Sequence, residues 1–394
     1  MSDSTKKTVI SNQTANQISK RIRIAVNVRF LIPNRLEGLG NFTHECMRRI
    51  VKSHPEIDFY FLFDRPYAQE FIYGSNVIPV VLPPPARHPF LWFIWFEISV
   101  QKWLKKNQPE LFLSPDGFGC LGTNVPQIPI MHDLAYEHIA SDVPFLTRWY
   151  YRLFMPRFAR EATRIASVSE FSKQDIVRLY KISPELIDVV YSGTKDGYGP
   201  VNMNVQIETR ERHAEGCSFF LFVGIMHPRK NVPRLLEAFE KFKSISGSDH
   251  KLIITGRKAW TYKDITKTLS TMKHSKDVLI PGYLPLSELM PLVASAECMM
   301  YVSLFEGFGV PILEAMKSEV PVITSNVSSM PEIAGDAALL VNPRSIDDIA
   351  AAMLRITSDA KLRQSLVDKG RVRAQQFSWE ATALKVWECC QRAL

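Results

Sequence analysis

"YVSLFEGFGVPILEAM" runs from Tyr301 to Met316. An apolar run leads into a turn holding Gly307 and Gly309, and the turn leads into a helical pattern. Glycine permits a positive φ or a close approach of backbone to a ligand, and Pro311 suits the first helical position. Glu306 and Glu314, separated by seven residues, frame the turn. On this reading Glu314 falls in the first helical turn, where the positive helix end keeps its carboxylate ionised. The free N–H groups of the loop then face outward as an anion site. Phe305 and Phe308 read as exposed. The stretch is a strand-turn-helix unit that could hold a ligand with hydroxyls at one end and phosphates at the other. An ordinary glycine-rich turn of an α/β protein fits the pattern equally well.

Such units recur in both directions along the chain. "IRIAVNV" (Ile22 to Val28), "DFYFLF" (Asp58 to Phe63), "LFLS" (Leu111 to Ser114), "QIPIMH" (Gln127 to His132) and "RIASVS" (Arg164 to Ser169) read as strands of one set. "FFLFVG" (Phe219 to Gly224), "KLIITG" (Lys251 to Gly256), "VLIPGY" (Val278 to Tyr283), "CMMYVS" (Cys298 to Ser303), "VPVITS" (Val320 to Ser325) and "ALLVN" (Ala338 to Asn342) read as a second. Helical periodicity separates them, which is the signature of parallel α/β architecture. The expected organisation is a leader over 1–20, a first doubly wound domain over 21–195, a polar, weakly patterned linker over 196–216 and a second doubly wound domain over 217–378. A last helix follows over 379–394. In such sheets ligands bind beyond the carboxyl ends of the strands.

Composition sets bounds. The 394 residues are 46% hydrophobic and 22% charged, an ordinary globular balance that fits two to three domains. The net charge of +8 favours anionic partners, while the scatter of Lys and Arg speaks against nucleic acid. Cys46, Cys120, Cys217, Cys298, Cys389 and Cys390 show no C-x-x-C pair and no ligand-spaced histidines, so neither a zinc site nor a disulfide framework is suggested. The first twenty residues are polar, without the apolar core of a signal peptide, and read as a disordered leader. No apolar run reaches the roughly 18 residues of a membrane span. "HPFLWFIWFEISVQKWL" (His88 to Leu104) comes nearest, and reads either as a half-buried helix or as an interfacial surface with aromatics at headgroup level.

Three strand ends carry candidate chemistry. After "FFLFVG", Arg229 and Lys230 stand in the loop before a helix beginning near Val232, where a basic pair can neutralise phosphate oxygens or simply be solvated. In the first half Gly38 and Gly40 precede a helix, but Thr43 occupies the third glycine position of a dinucleotide fingerprint, although Asp64 ends the second strand. The loop from Val28 is also too long for that motif, so a nicotinamide oxidoreductase is poorly supported. His132 and Asp133 end a further strand, as a structural pair or as groups facing the cleft.

The second half resembles the retaining, nucleotide-sugar-dependent glycosyltransferases of family 4, through "FVGIMHPRKNVPRLLEAF", "LIITGRKAW", "IPGYLPLSELMPLVASAECMMYVSLFEGFGVPILEAM" and "PVITSNVSSMPEIAGDAALLVNP" in order and spacing. The first half is similar more loosely, through Gly38 and Gly40, "MHDL" at His132 and "SVSEFSKQDIVRLY" from Ser167. The resemblance implies the GT-B fold, two facing Rossmann-like domains with a last helix, Trp379 to Leu394, crossing back onto the first. It implies an acceptor-binding first domain and a nucleotide-sugar-binding second domain.

Several site roles follow from the resemblance. Glu306 and Glu314 look like the family's E-x7-E pair, Glu306 beside the donor sugar and Glu314 at the ribose. Amides from Phe308, Gly309 and Val310 would face sugar and phosphates, and Lys230 would hold the diphosphate. Tyr283 and Leu284 fall at the base, Gly40 would let the loop approach the phosphates, and His132 would lie by the transferred sugar. Ile225 stands where many relatives carry arginine, so Arg229 is the replacement charge. His227 replaces a common acidic residue, and "KSEVPV" lacks a frequent glycine.

No cofactor and no metal are implied, and no D-x-D motif appears among the cleft loops. The motifs "PRKN" and "MPEIAGDAALLVNP" favour GDP-mannose as donor. The acceptor would be a glycan or lipid-linked glycan, the location cytoplasmic and at most peripheral on the inner face of the membrane. A non-catalytic sugar-nucleotide-binding module is the alternative, against which the intact glutamate pair argues.

Overall fold

In a computed structural model of the chain, residues 21–141, 143–257 and 262–394 are described. The leader over 1–20 and the end of "LIITGRKAW" lie outside them. The first sheet contains β1 (Arg23–Asn27), β2 (Asp58–Phe63), β3 (Val77–Val81), β4 (Leu111–Ser114), β5 (Gln127–Met131), β6 (Ile165–Ser167) and β7 (Ile187–Val189). They lie in the order β3-β2-β1-β4-β5-β6-β7, every pair parallel. The second sheet contains β8 (Phe219–Val223), β9 (Lys251–Thr255), β10 (Val278–Gly282), β11 (Cys298–Tyr301), β12 (Val322–Ser325) and β13 (Leu339–Val341). Their order is β10-β9-β8-β11-β12-β13, again parallel throughout.

Strands β4, β5, β9, β11 and β12 are buried at every residue. Helices cover both faces of a parallel sheet, so its strands read as continuous apolar runs. Each sheet reverses its strand order once, between β1 and β4 and between β8 and β11. A crevice opens at each reversal, at the carboxyl ends of the strands. The fold is the expected pair of Rossmann-like domains.

Two strands escaped the sequence reading, β3 and β7, and both are sheet edges. "VIPVV" carries Pro79, which cannot donate a ladder hydrogen bond and so fits an edge; β7 is only three residues long. The linker also differs from its weakly patterned reading, because Met203–Ala214 is helical, with the Asn202 side chain accepting a hydrogen bond from the Val205 N–H. Only Thr209 and Ala214 of that helix are buried, so it has almost no apolar stripe to detect.

The last helix, Trp379–Ala393, lies on the first domain. Its Trp387 stacks on His54 at 3.8 Å, Trp379 meets Phe42 edge-on at 5.8 Å, and Glu380 pairs with Arg49 at 2.7 Å. Arg392 reaches Asp188 at 2.8 Å.

The aromatic segment is a helix from Pro89 to Asn107, with a wide π turn over Trp95–Val100. Its burial is that of the half-buried helix. Trp95, Phe96, Val100 and Leu104 are fully buried, and the Trp95 indole N–H donates to the Leu82 carbonyl at 2.8 Å. Phe90, Phe93 and Ile98 face outward. No described helix is long and apolar enough to cross a membrane.

Candidate active site

The reversal between β8 and β11 brings the loops after those strands side by side, and with them Arg229, Lys230 and Glu306. Lys230 Nζ donates to Glu306 Oε1 at 2.6 Å and to the Tyr301 hydroxyl at 2.7 Å. Arg229 Nη1 donates to Glu306 Oε2 at 3.0 Å and to the Phe305 carbonyl at 3.1 Å. The basic pair is therefore not a solvated loop, since both cations close on one carboxylate. Burial alone would raise the Glu306 carboxyl, but Lys230 and Arg229 outweigh it and hold the group down at about 2. Because that value lies below the ordinary 4.5, the associated stability is fully present above 4.5 and is lost as pH falls toward 2.

The turn after β11 is shaped by hydroxyls and by its two glycines. Ser329 Oγ lies 2.9 Å from the carbonyl oxygens of both Glu306 and Phe308, sharing its one proton between them. Gly309, at φ +110°, caps the helix Val310–Lys317. Gly307 is one of the points where the domains touch, and a Cβ there would lie 2.0 Å from the His132 carbonyl oxygen. Ser169 Oγ donates to the Gly307 carbonyl at 2.6 Å. Ser172 Oγ lies 3.2 Å from the His132 carbonyl and 3.3 Å from that of Gly307. Glu332 completes the contact by accepting the N–H groups of Glu170 and Phe171, at 2.7 and 2.9 Å, at the start of the helix Glu170–Tyr180.

Several expectations need correction. Phe305 and Phe308 are buried, Phe305 stacking on His138 at 4.8 Å and Phe308 meeting Phe377 at 5.8 Å. Glu314 stands in the second turn, since the helix begins at Val310. It is too far from the helix end for the dipole to hold its charge, and burial pushes it up to about 7 while Lys195 and Tyr198 oppose that shift. Gly40 does not line the cavity; its missing Cβ would lie 2.5 Å from the Phe30 carbonyl oxygen, so it packs the preceding loop, and Gly38 lines the cavity instead. Asp64 is held by Arg65 at 2.6 Å and by the Ala86 N–H at 2.7 Å, and so is not poised for a dinucleotide ribose.

One cavity of about 680 Å³ connects the remaining residues. Tyr283, 67% exposed with the Arg257 guanidinium 5.5 Å from its ring centre, and Leu284 line it. Lys230, Arg229, Glu306, Phe308, Gly309, Val310 and Glu314 line it from the second domain, and His132 lines it from the first. The His132 Nε2 lies 2.8 Å from the Pro115 carbonyl, which can only accept, so that nitrogen carries the proton. Burial lowers the pKa of this ring and keeps it neutral. Among the described residues no group of three or more His, Cys, Asp or Glu side chains could hold a metal ion.

Sequence reasoning missed Asp116, which lines the cavity, and its partner Arg29. Asp116 forms a buried ion pair with Arg29 at 2.5 Å, and the Arg29 guanidinium lies 4.4 to 5.7 Å from the ring centres of Phe118, Phe30, Phe96 and Trp92. Both follow strands at the first reversal, β1 and β4, which is the one signal that could have found them. Tyr198 and Lys195, from the segment between the domains, also line the cavity; nothing in their local pattern marks them.

Residues 36–196 match the description Glycosyltransferase Family 4, and residues 206–373 match Glycosyl transferases group 1. The chain belongs to the family 4 glycosyltransferases. Over 220 residues it is 33% identical to O-antigen chain mannosyltransferase B of Escherichia coli, covering 56% of this chain and 58% of that one. Over 297 residues it is 28% identical to MMP alpha-(1->4)-mannosyltransferase of Mycolicibacterium hassiacum, covering 70% and 69%. The match thus spans just over half the length of the first of these relatives and about two thirds of the second. Among solved structures, WaaG, a glycosyltransferase involved in lipopolysaccharide biosynthesis, superposes with a TM-score of 0.73 at 16% identity, over 92% of this chain and 98% of that one. That likeness shows the GT-B fold. The cavity of this family 4 glycosyltransferase lies where its two domains meet.

Proposed function

We propose that this glycosyltransferase moves mannose from GDP-mannose to a saccharide or lipid-linked saccharide, with retention of configuration and without a metal. The observation that carries this reading is the pairing of Lys230 and Arg229 on Glu306 in the loops that follow β8 and β11. Breaking a glycosyl phosphate bond builds negative charge on the leaving diphosphate and positive charge on the sugar. In this reading Lys230, Arg229 and the amides of Phe308 to Val310 receive the diphosphate, Glu306 faces the developing cation, and Glu314 accepts the ribose hydroxyls. Tyr283 and Leu284 flank the base, and neutral His132 lies by the transferred sugar. The acceptor hydroxyl attacks C1 on the face the diphosphate leaves. As the C1–O bond to phosphate breaks and the new one forms, a phosphate oxygen takes the hydroxyl proton, so no protein base stands between them. The names of the mannosyltransferase relatives support the sugar.

Thermal-shift titration with GDP-mannose, a UDP-hexose and a dTDP-hexose, followed by turnover in excess EDTA, tests the proposal. GDP-mannose is expected to raise the melting temperature most, and GDP release is expected to survive the chelator. A larger shift with a UDP- or dTDP-sugar would replace the donor, and dependence on a divalent ion would contradict metal-free chemistry.

The same proposal places the protein in the cytoplasm, in contact with anionic lipid of the inner leaflet. Support comes from the helix Phe145–Glu161, where Phe145 is 80% and Trp149 58% exposed beside Leu146, with Arg152, Arg157 and Arg160 further along. Phe93, on the neighbouring aromatic helix, meets Phe154 of this one at 5.9 Å, and exposed Phe90 lies a turn before it. Binding to phosphatidylglycerol vesicles is expected to weaken with salt and with Trp149→Ala. Equal, negligible binding to neutral and anionic vesicles would refute the membrane contact.

A further inference from the structure

Glu314 lacks the helix end that would have stabilised its charge, and four titratable groups bear on it. Lys317 belongs to its own helix and Tyr301 to β11, while Lys195 and Tyr198 come from the segment joining the two domains. Tyr198 is 9% exposed and Glu314 8%, and both line the cavity. The turn that delivers Tyr198 is built for it. Gly197 adopts φ +98°, with the Met290 sulfur 3.0 Å from where a Cβ would stand, so a side chain there would be both strained and crowded. The Tyr198 ring joins the apolar core, and a phenylalanine would serve that purpose. The hydroxyl instead faces the Glu314 carboxylate, and each group alters the other's affinity for its proton.

We propose that Tyr198 is a positioning residue of the donor site, whose hydroxyl holds one oxygen of Glu314 so that the carboxylate presents the other to the hydroxyls of the donor ribose. This rests on the reading of Glu314 as the ribose acceptor. An ionised carboxylate has about four acceptor positions and no donor, so it accepts the tyrosine hydroxyl and ribose hydroxyls together. A protonated carboxyl gives up part of that capacity. Burial favours the protonated form, and the donating hydroxyl with the nearby Lys195 charge works against it. Because Tyr198 lies between the domains, ribose binding also depends on where the joining segment sits.

Calorimetric titration of the wild type, Tyr198→Phe, Glu314→Gln and the double variant with GDP and with 2′,3′-dideoxy-GDP, from about pH 6 to about pH 9, tests this. UDP and its dideoxy form are run in parallel. Tyr198→Phe keeps the ring, and melting temperatures measured alongside report on folding. The wild type is expected to prefer the intact ribose, with affinity rising as Glu314 ionises. Tyr198→Phe is expected to weaken the intact nucleotide about three- to tenfold, the scale of one hydrogen bond, and to move the rise to higher pH. It should leave the dideoxy form unchanged and add no loss to Glu314→Gln. Equal weakening of both forms, or additive losses in the double variant, would overturn the role of Tyr198 while leaving Glu314 at the ribose. A wild type that binds nucleotide without preferring the intact ribose, or binds neither GDP nor UDP, would overturn the ribose reading and this inference with it.

Discussion

Lys230→Ala is expected to cost roughly 2 to 4 kcal/mol of transition-state stabilisation, about 30- to 1000-fold in turnover, on the scale of removing one electrostatic partner of a developing anion. From its loop position alone, the substitution looks harmless to folding. The structure changes that expectation. Lys230 Nζ is bonded to Glu306 and Tyr301 in a buried setting, and removing one member of a buried pair leaves an uncompensated charge, typically at about 3 to 5 kcal/mol. Arg229, on the other oxygen, offsets part of this. Both turnover and melting temperature should therefore fall. Adding Glu306→Gln removes the stranded charge and is expected to restore melting temperature without activity. Normal turnover in Lys230→Ala would remove Lys230 from the site, and an unchanged melting temperature would mean the ion pair contributes nothing to the fold.

Glu306→Gln is expected to lower kcat on the order of a hundredfold while leaving donor KM unchanged or lower. The glutamate opposes the diphosphate for the two cations in the ground state, since Lys230 and Arg229 each donate to one of its oxygens. Neutralising it frees them to bind the donor more tightly. It also removes the negative charge beside a sugar that becomes positive only in the transition state, and an interaction of that kind appears in kcat. Glu314→Gln, at the ribose, is expected mainly to raise donor KM, because its contacts form in ground and transition states alike. Donor titration of the two variants separates the roles, and an intact kcat in Glu306→Gln would show the assignment to catalysis to be wrong.

The site was legible in unequal parts. Arg229, Lys230 and Glu306 were visible because each lies within a few residues of an apolar run that ends in glycine or polar residues, and a strand end is where a parallel sheet exposes ligand groups; Glu314 was visible through its spacing from Glu306. The charge state of Glu314 was not visible. Its distance from the helix start depends on where the helix begins, and a shift of one turn takes a carboxylate from the dipole's reach into the protein interior. Gly40 misled for a related reason, as a glycine near a helix start serves close backbone packing as readily as ligand approach, and here it meets the Phe30 carbonyl.

The alternation of apolar runs and helical periodicity determined by itself that the chain forms two parallel sheets, because period and run length are local properties of the chain. It left out β3 and β7, the edges whose short or proline-bearing runs carry little of that signal. Which groups meet was decided only by the tertiary structure. Strand order sets β8 beside β11 and so joins residues more than seventy positions apart into the Lys230–Glu306 pair. Domain contact at Gly307 brings His132 into the same cavity, and the joining segment delivers Tyr198 to Glu314. Sheet order and domain contact are non-local, resting on buried apolar surface summed over whole elements, and no window of sequence contains them.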